Sequence, residues 1–242
     1  MIVSPTNEKL KLVRKLRDRK HREREGLFAS EGEDLVEAGL AAGLEPGFLL
    51  TAAGSGLSER WGGDEVDPEL LSATSSLGSG TRAIAVWPLR WSEAPATPCL
   101  YLHGVSDPGN VGTIARSADA LIGSAVVLGP DCADPFSPKA VRASMGSIFT
   151  RPPLRAGVEA TPGGRAALVA HGGTGLEALA GAATICLGAE REGLPASVLE
   201  QCDVKVTIPL RPSVESLNVA AAAAIACERL SSLAMSEARP DA

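Results

Sequence analysis

Aromatic side chains are scarce in this 242-residue chain: four Phe, three Trp and one Tyr, 3% of the whole. A buried core must therefore be built from Ala, Leu, Val and Ile, and a nucleic-acid surface of stacked aromatics is not expected. No run of residues approaches the roughly 18–20 apolar positions of a membrane-spanning helix. The charged stretch from Met1 to Glu25 lacks the apolar segment of a secretory signal. A cytoplasmic chain away from the membrane is expected. Cysteine is sparse too. Cys99, Cys132, Cys186, Cys202 and Cys227 are odd in number, widely spaced and free of any C-x-x-C pair. That argues against a disulfide framework or a zinc site, so the thiols are expected reduced and mostly buried, with no metal site. Also absent are G-x-G-x-x-G, G-x-x-x-x-G-K-[ST], G-x-S-x-G and H-E-x-x-H. The common dinucleotide turn, the P-loop, the serine-hydrolase elbow and the zincin helix lose their main support.

What is present is an ordinary globular composition, 45% hydrophobic and 21% charged, long enough for one large domain or two small ones. The net charge of −6 hides an asymmetry. Nine basic and four acidic groups give residues 1–25 a charge of +5, which leaves −11 on the remainder. A basic arm on an acidic body concentrates positive potential in one place, as phosphate-backbone binding requires. A solvated helix laced with i,i+4 pairs would show the same composition.

Ser4-Pro5 reads as a helix start, and Leu12, Val13 and Leu16 give a short apolar stripe on a basic helix. Leu27-Phe28 opens a short apolar segment, and residues 35–40 suit a small amphipathic helix. Phe48–Leu50 and Ala83–Val86 read as strands, separated by a stretch over 54–80 rich in Gly, Ser and turn residues. Three prolines in residues 88–98 suggest an extended linker. The expected organisation is a small α/β domain over 1–90 with the basic arm, a linker over 91–98 and a second domain over 99–242. In that second part strand-like and helix-like runs alternate. The strands are expected at Cys99–Val105, Ala125–Leu128, Ala167–His171, Thr184–Leu187 and Val204–Ile208. Helices are expected at Gly112–Leu121, Pro138–Ile148, Leu176–Leu179, Ala196–Gln201 and Ser216–Leu233. Such alternation means an α/β fold with a parallel sheet, whose ligands bind at the carboxyl ends of strands.

Three loops at such ends stand out. The first holds Asn110, Gly112 and, about one turn into its helix, Arg116. The second runs Gly188-Ala189-Glu190-Arg191-Glu192-Gly193-Leu194, and the third runs from Ile208-Pro209-Leu210 to Glu215-Ser216-Leu217-Asn218-Val219. Each has a bland explanation: a capping Asn with a surface Arg, acids complementing a helix dipole, and Ser216 as an N-cap. His103 inside a strand and His171 at the end of one read as buried or capping groups. Taken together, and in this order, the three loops resemble the motifs of the SpoU (TrmH) family of RNA 2′-O-ribose methyltransferases in the SPOUT superfamily. The likeness covers about residues 99–234. Lys20-His21-Arg22 and Phe28-Ala29-Ser30-Glu31-Gly32 likewise resemble the small ribosomal-protein-like substrate-binding domain often joined to that family.

The resemblance implies S-adenosylmethionine as cofactor, a parallel-sheet domain tied in a trefoil knot, a homodimer, and an RNA substrate. The expected reaction is methyl transfer to a ribose 2′-hydroxyl, with rRNA ahead of tRNA. A catalytically weak RNA-binding paralogue in ribosome assembly and an antibiotic-resistance rRNA methyltransferase are the other readings. It places Asn110, Arg116, Glu190, Ser216 and Asn218 in the catalytic site. Leu187, Gly188, Glu190, Gly193, Ile208, Leu210, Ser216, Leu217 and Asn218 would hold the cofactor. Arg17, Arg19, Lys20, His21, Arg22, Arg24 and Arg116 would meet RNA. One position departs from the family pattern: Pro212 stands where a Gly is usual. Proline fixes φ and removes an N–H, so the expectation is a weakened cofactor loop.

Overall fold

The computed structural model describes residues 1–77 and 80–237. The chain divides into two compact units, Met1–Arg90 with Asp134–Thr150, and Trp91–Ala133 with Arg151 onward.

The first unit opens with the basic arm, which forms two helices. Asn7 caps α1 (Glu8–Lys15) by accepting from Lys9 N, so the helix starts later than Ser4-Pro5, whose residues instead make a turn closed by Asn7 N donating to Ser4 O. Asp18 caps α2 (Arg19–Glu25), and Gly26, at φ 65°, ends it. Leu10, Val13 and Leu16 recur at helical spacing and are buried, which turns the charged face outward. Next come β1 (Leu27–Glu31), α3 (Glu33–Ala41), β2 (Phe48–Ala52), α4 (Leu57–Trp61), β3 (Asp64–Val66), α5 (Pro68–Thr74) and β4 (Ala83–Pro88). Their sheet has the order β1-β4-β2-β3, with β4 antiparallel to both neighbours and β3 parallel to β2.

The stretch read as turns therefore contains α4, β3 and α5. β3 is three residues long and buries only Val66, too little to show a period. α5 begins at Asp67-Pro68, an N-cap followed by Pro at the first helical position. In β1, Ser30 and Glu31 break the apolar pattern but are buried and bonded: Trp87 Nε1 donates to Ser30 Oγ at 2.9 Å, and Ser75 Oγ to Glu31 Oε2 at 2.7 Å.

The second unit begins with β5 (Cys99–Leu102), α6 (Pro108–Ile122) and β6 (Val126–Leu128). The next helices, α7 (Pro138–Ser144) and α8 (Ser147–Thr150), were expected as one helix of the parallel-sheet domain. Met145, in a left-handed turn at φ 47°, splits them, and both group with the first unit. The reason is aromatic. Phe136 and Phe149 lie 5.0 Å and 5.8 Å from the Phe28 ring, and Phe149 lies 5.0 Å from Trp87. Four of the chain's eight aromatics, Phe28, Trp87, Phe136 and Phe149, gather there as a core cluster.

The chain then adds β7 (Leu154–Arg155), β8 (Arg165–Leu168), β9 (Thr184–Leu187), the short α9 (Ala196–Leu199), β10 (Val204–Val206) and α10 (Val219–Glu237). All six strands are parallel, in the order β10-β8-β9-β5-β6-β7. β7 was not expected, because two residues carry no periodicity. α10 is long and apolar enough to match a membrane span by length and composition. Its Ala220, Ala223, Ala226, Cys227 and Leu230 are buried in the same aliphatic core as Val111, Ile114 and Ala118 of α6. Small side chains let the two helices approach closely.

Arg22 was expected at an RNA surface. It is buried instead, 3% exposed. Its Nε and Nη2 donate to Asp134 Oδ2 at 2.9 and 2.6 Å, and its Nη1 donates to Leu16 O and Arg17 O at 2.7 and 2.8 Å. This arginine holds the end of α1, the start of α2 and the Asp134 segment together. His21 is only half-buried, but its Nδ1 is buried without a hydrogen-bond partner. Arg17, Arg19, Lys20 and Arg24 stay exposed. Arg19 pairs with Glu23 at 2.9 Å, and Arg24 with Glu25 at 2.7 Å.

Candidate active site

In the parallel sheet β9 lies between β8 and β5, so the loops leaving their carboxyl ends are neighbours. The first is fixed by Asp107-Pro108. Asp107 caps α6 by accepting from Asn110 N at 3.0 Å, which sets Asn110 in the first helical turn with its side chain free to reach across. The second is closed on itself by paired bonds, Ala189 N to Gly193 O at 3.1 Å and Gly193 N to Ala189 O at 3.0 Å. Gly193 has φ 69°. A Cβ on Gly188 would lie 2.1 Å from Gly193 C, so only glycine allows the loop to fold over its own stem.

A run of polar side chains then joins all three loops. Asn218 Oδ1 accepts from Ala220 N at 2.9 Å, making Asn218, rather than Ser216, the cap of α10. With its oxygen so engaged, Asn218 donates through Nδ2 to Asn110 Oδ1 at 3.2 Å. Asn110 in turn donates through Nδ2 to Glu190 Oε1 at 2.8 Å. The helix cap thus orients one amide, that amide orients the next, and the sequence ends on a carboxylate that only accepts. These residues lie 80 and 108 positions apart from Asn110 in the chain.

Beside the run is a cavity of about 500 Å³. Leu187, Gly188, Glu190 and Gly193 line it from the β9 loop; Ile208, Leu210, Ser216 and Leu217 line it from the segment before α10. Asn218, expected among the cofactor contacts, is not in that lining. The cavity also has a wall that sequence reasoning missed, Leu168 to His171 at the end of β8. Its signal was positional: β8 ends next to β9, and Val169 N donates to Val206 O at 2.9 Å. Pro212 lies outside the lining, in a turn closed by Val214 N donating to Arg211 O at 2.9 Å. Proline suits the second position of such a turn. We therefore expect Pro212→Gly to change cofactor affinity by less than about threefold; a large gain, read by calorimetry, would show that the proline does weaken the loop.

Arg116 lies deeper in α6 than expected, in the third turn, because the helix starts at Pro108. It is exposed and makes no hydrogen bond or ion pair among the described residues. Asn110, Glu190 and Asn218 are thus brought together with Ser216 close by, whereas Arg116 stands apart with its guanidinium free.

The SpoU rRNA Methylase family profile matches residues 98–228, and that of the MRM3-like substrate binding domain matches residues 7–76. A 23S rRNA (guanosine(2553)-2′-O)-methyltransferase of Bacillus subtilis is 34% identical over 241 residues, covering 93% of this chain and 96% of the relative. An S-adenosylmethionine-bound rRNA methyltransferase from Sinorhizobium meliloti superposes with a TM-score of 0.83 at 28% identity, over 95% of this chain and 96% of the other. A TrmH-family RNA methyltransferase structure from Porphyromonas gingivalis gives 0.77 at 31% identity, over 95% and 98%. With the motif loops meeting at one end of the parallel sheet and the family profile spanning more than half of its length, this chain belongs to the SpoU rRNA methylase family.

Proposed function

We propose that this protein transfers the methyl group of S-adenosylmethionine to a ribose 2′-hydroxyl of ribosomal RNA. The hydrogen-bonded run Asn218–Asn110–Glu190, beside a cavity with both aliphatic and charged walls, is the observation that supports it most. The cavity suits the cofactor. Leu168, Leu187, Leu210 and Leu217 offer apolar wall to an adenine, and the Gly188 backbone leaves no side chain in the way. Glu190 offers a carboxylate to hydroxyl groups or to a cation.

Bound S-adenosylmethionine supplies a methyl already activated by its positive sulfur, so no Lewis acid is needed. The chain's own task is to position the 2′-oxygen in line and to ease loss of its proton. Arg116 is an exposed cation on α6 that makes no hydrogen bond or ion pair among the described residues. A guanidinium is too weak a base to accept the proton, so its role is to orient the hydroxyl and lower its pKa electrostatically. Asn110, held from both sides, fixes the loop from which α6 departs, and Ser216 completes the mouth of the cavity.

The exposed cations of the arm support RNA binding by the first unit. Replacing Arg17, Arg19, Lys20 and Arg24 with Ala should flatten the dependence of RNA affinity on salt by about one unit of slope per lost phosphate contact. An unchanged slope would make the arm a solvated helix pair. A homodimer, cytoplasmic like ribosome-modifying enzymes at large, completes the reading. Leu121 on α6 and Ile225 on α10, 37% and 36% exposed on helices that share a core, are the apolar positions it would cover. The trefoil knot belongs to the same reading, supported by β10 lying beside β8 while α10 returns to α6. The function is tested by calorimetry: S-adenosylmethionine should bind without added metal, and binding absent or dependent on a divalent ion would overturn the cofactor assignment.

A further inference from the structure

A second cavity, of about 610 Å³, shares the Ala189–Gly193 loop as a wall with the first. His103 lines it. This histidine was expected inside β5, but it follows the strand's last residue and is only half-buried. Its Nδ1 lies 3.2 Å from the hydroxyl of Tyr101, which is 1% exposed. Burial pushes the Tyr101 phenol up to about 12, so it keeps its proton at neutral pH. Nδ1 is the partner that hydroxyl has among the described residues, and a buried hydroxyl needs an acceptor. With Tyr101 donating to Nδ1, the N–H that the ring offers to the cavity is on Nε2. The ring is a fixed donor, held further because Gly129 leaves no side chain against the Tyr101 hydroxyl, where a Cβ would come within 2.2 Å.

Asp131 lines the same cavity. Gly104 N donates to Pro130 O at 2.9 Å, which ties the backbone after His103 to the backbone before Asp131. Asp131 has φ 59°, in the left-handed region that aspartate and asparagine enter more readily than other residues with side chains. Of the three other carboxylates on the wall, Asp107 caps α6, Glu190 accepts from Asn110, and Glu192 lies on the loop shared with the first cavity, whereas Asp131 lines the second cavity and not the first. Asp131 makes no side-chain hydrogen bond or ion pair among the described residues.

We propose that this second cavity receives the base of the nucleotide being methylated, and that His103 and Asp131 read that base as guanine. The proposal rests on the methyl-transfer reading above. Guanine alone among the four bases sets two adjacent donors, N1–H and the N2 amino group, beside an acceptor, O6. A carboxylate accepts from the first two, and an imidazole N–H donates to the third. Adenine and cytosine carry an acceptor where guanine has N1–H. Uracil flanks its one donor with two carbonyls, so the second carboxylate oxygen would face an oxygen.

The test uses the full chain, tritiated S-adenosylmethionine and unmodified transcripts of the host's ribosomal RNAs, digested to nucleosides after reaction. Label in 2′-O-methylguanosine is expected. Label in the methylated uridine, cytidine or adenosine instead overturns this inference and leaves methyl transfer standing. No label in any of the four, from protein that binds the cofactor, overturns the methyl-transfer reading and this inference with it. His103→Ala and Asp131→Asn should each lower kcat/KM by about tenfold or more with cofactor affinity within twofold, the scale of a lost base contact. Asparagine tolerates the left-handed backbone, so the second variant tests the carboxylate rather than the fold. His103→Gln, which keeps an N–H donor, should retain more activity than the alanine variant. Full-rate transfer by both His103→Ala and Asp131→Asn overturns the assignment of these two residues.

Discussion

Arg116→Ala is expected to lose about 10²-fold or more of its single-turnover methyl-transfer rate, the scale of a positioned proton-transfer group. Its S-adenosylmethionine affinity and melting temperature should stay unchanged. The side chain is exposed and holds nothing in place, so its removal leaves no cavity and no orphaned partner. It also lines neither cavity, so cofactor binding has no direct dependence on it. Lysine should rescue poorly, because a compact ammonium lacks the planar set of donors that can hold an oxygen and stay charged. Rate and cofactor affinity measured together decide the role. If both fall, Arg116 supports the cofactor loop; if neither falls, another group orients the hydroxyl.

Arg22→Ala should act in the opposite manner, on stability first. The guanidinium and the Asp134 carboxylate are 3% and 11% exposed, and the arginine also serves two backbone carbonyls. Removing one member of a buried pair leaves the other charge without its partner, which costs about 3–5 kcal/mol. For a unit of this size that corresponds to a fall of roughly 10–20 °C in its melting temperature. Asp134→Ala should do the same. The double replacement Arg22→Met with Asp134→Leu should be less damaging than the two single changes added together, since it leaves no uncompensated charge. Simple addition of the two effects would mean that the residues act independently. Any loss of RNA binding by Arg22→Ala would then follow the loss of fold rather than the loss of a phosphate contact.

Arg22 also marks where the sequence could be read and where it could not. In a run of nine cations, nothing in residue type distinguishes the one that turns inward; the Leu16 and Arg17 carbonyls and the distant Asp134, 112 positions away, together make burial tolerable. Charge composition therefore located the basic helices but assigned one structural residue to a surface. The three motif loops were legible because each pairs an unusual polar or glycine pattern with a strand end, and parallel sheets put strand ends together. The Leu168–His171 wall of the first cavity escaped because its residues are unremarkable and contribute by position alone. His103 was read as a core residue because the expected strand ran three positions past its real end at Leu102. The 54–80 stretch hid two helices and a strand too short to show a period. Helix α7 was assigned to the wrong unit, since aromatic contacts with Phe28, rather than chain continuity, decide where its segment belongs.

The measurement that bears most directly on the central claim is single-turnover transfer of a tritiated methyl group from S-adenosylmethionine to unmodified large-subunit ribosomal RNA, followed by alkaline hydrolysis. A methylated 2′-oxygen cannot attack its neighbouring phosphate, so the bond beside it survives alkali. The account predicts that the label appears in alkali-resistant dinucleotides, and that Arg116→Ala removes it while still binding the cofactor. Label recovered in mononucleotides, the mark of a methylated base, or no label from protein with S-adenosylmethionine bound, would contradict it.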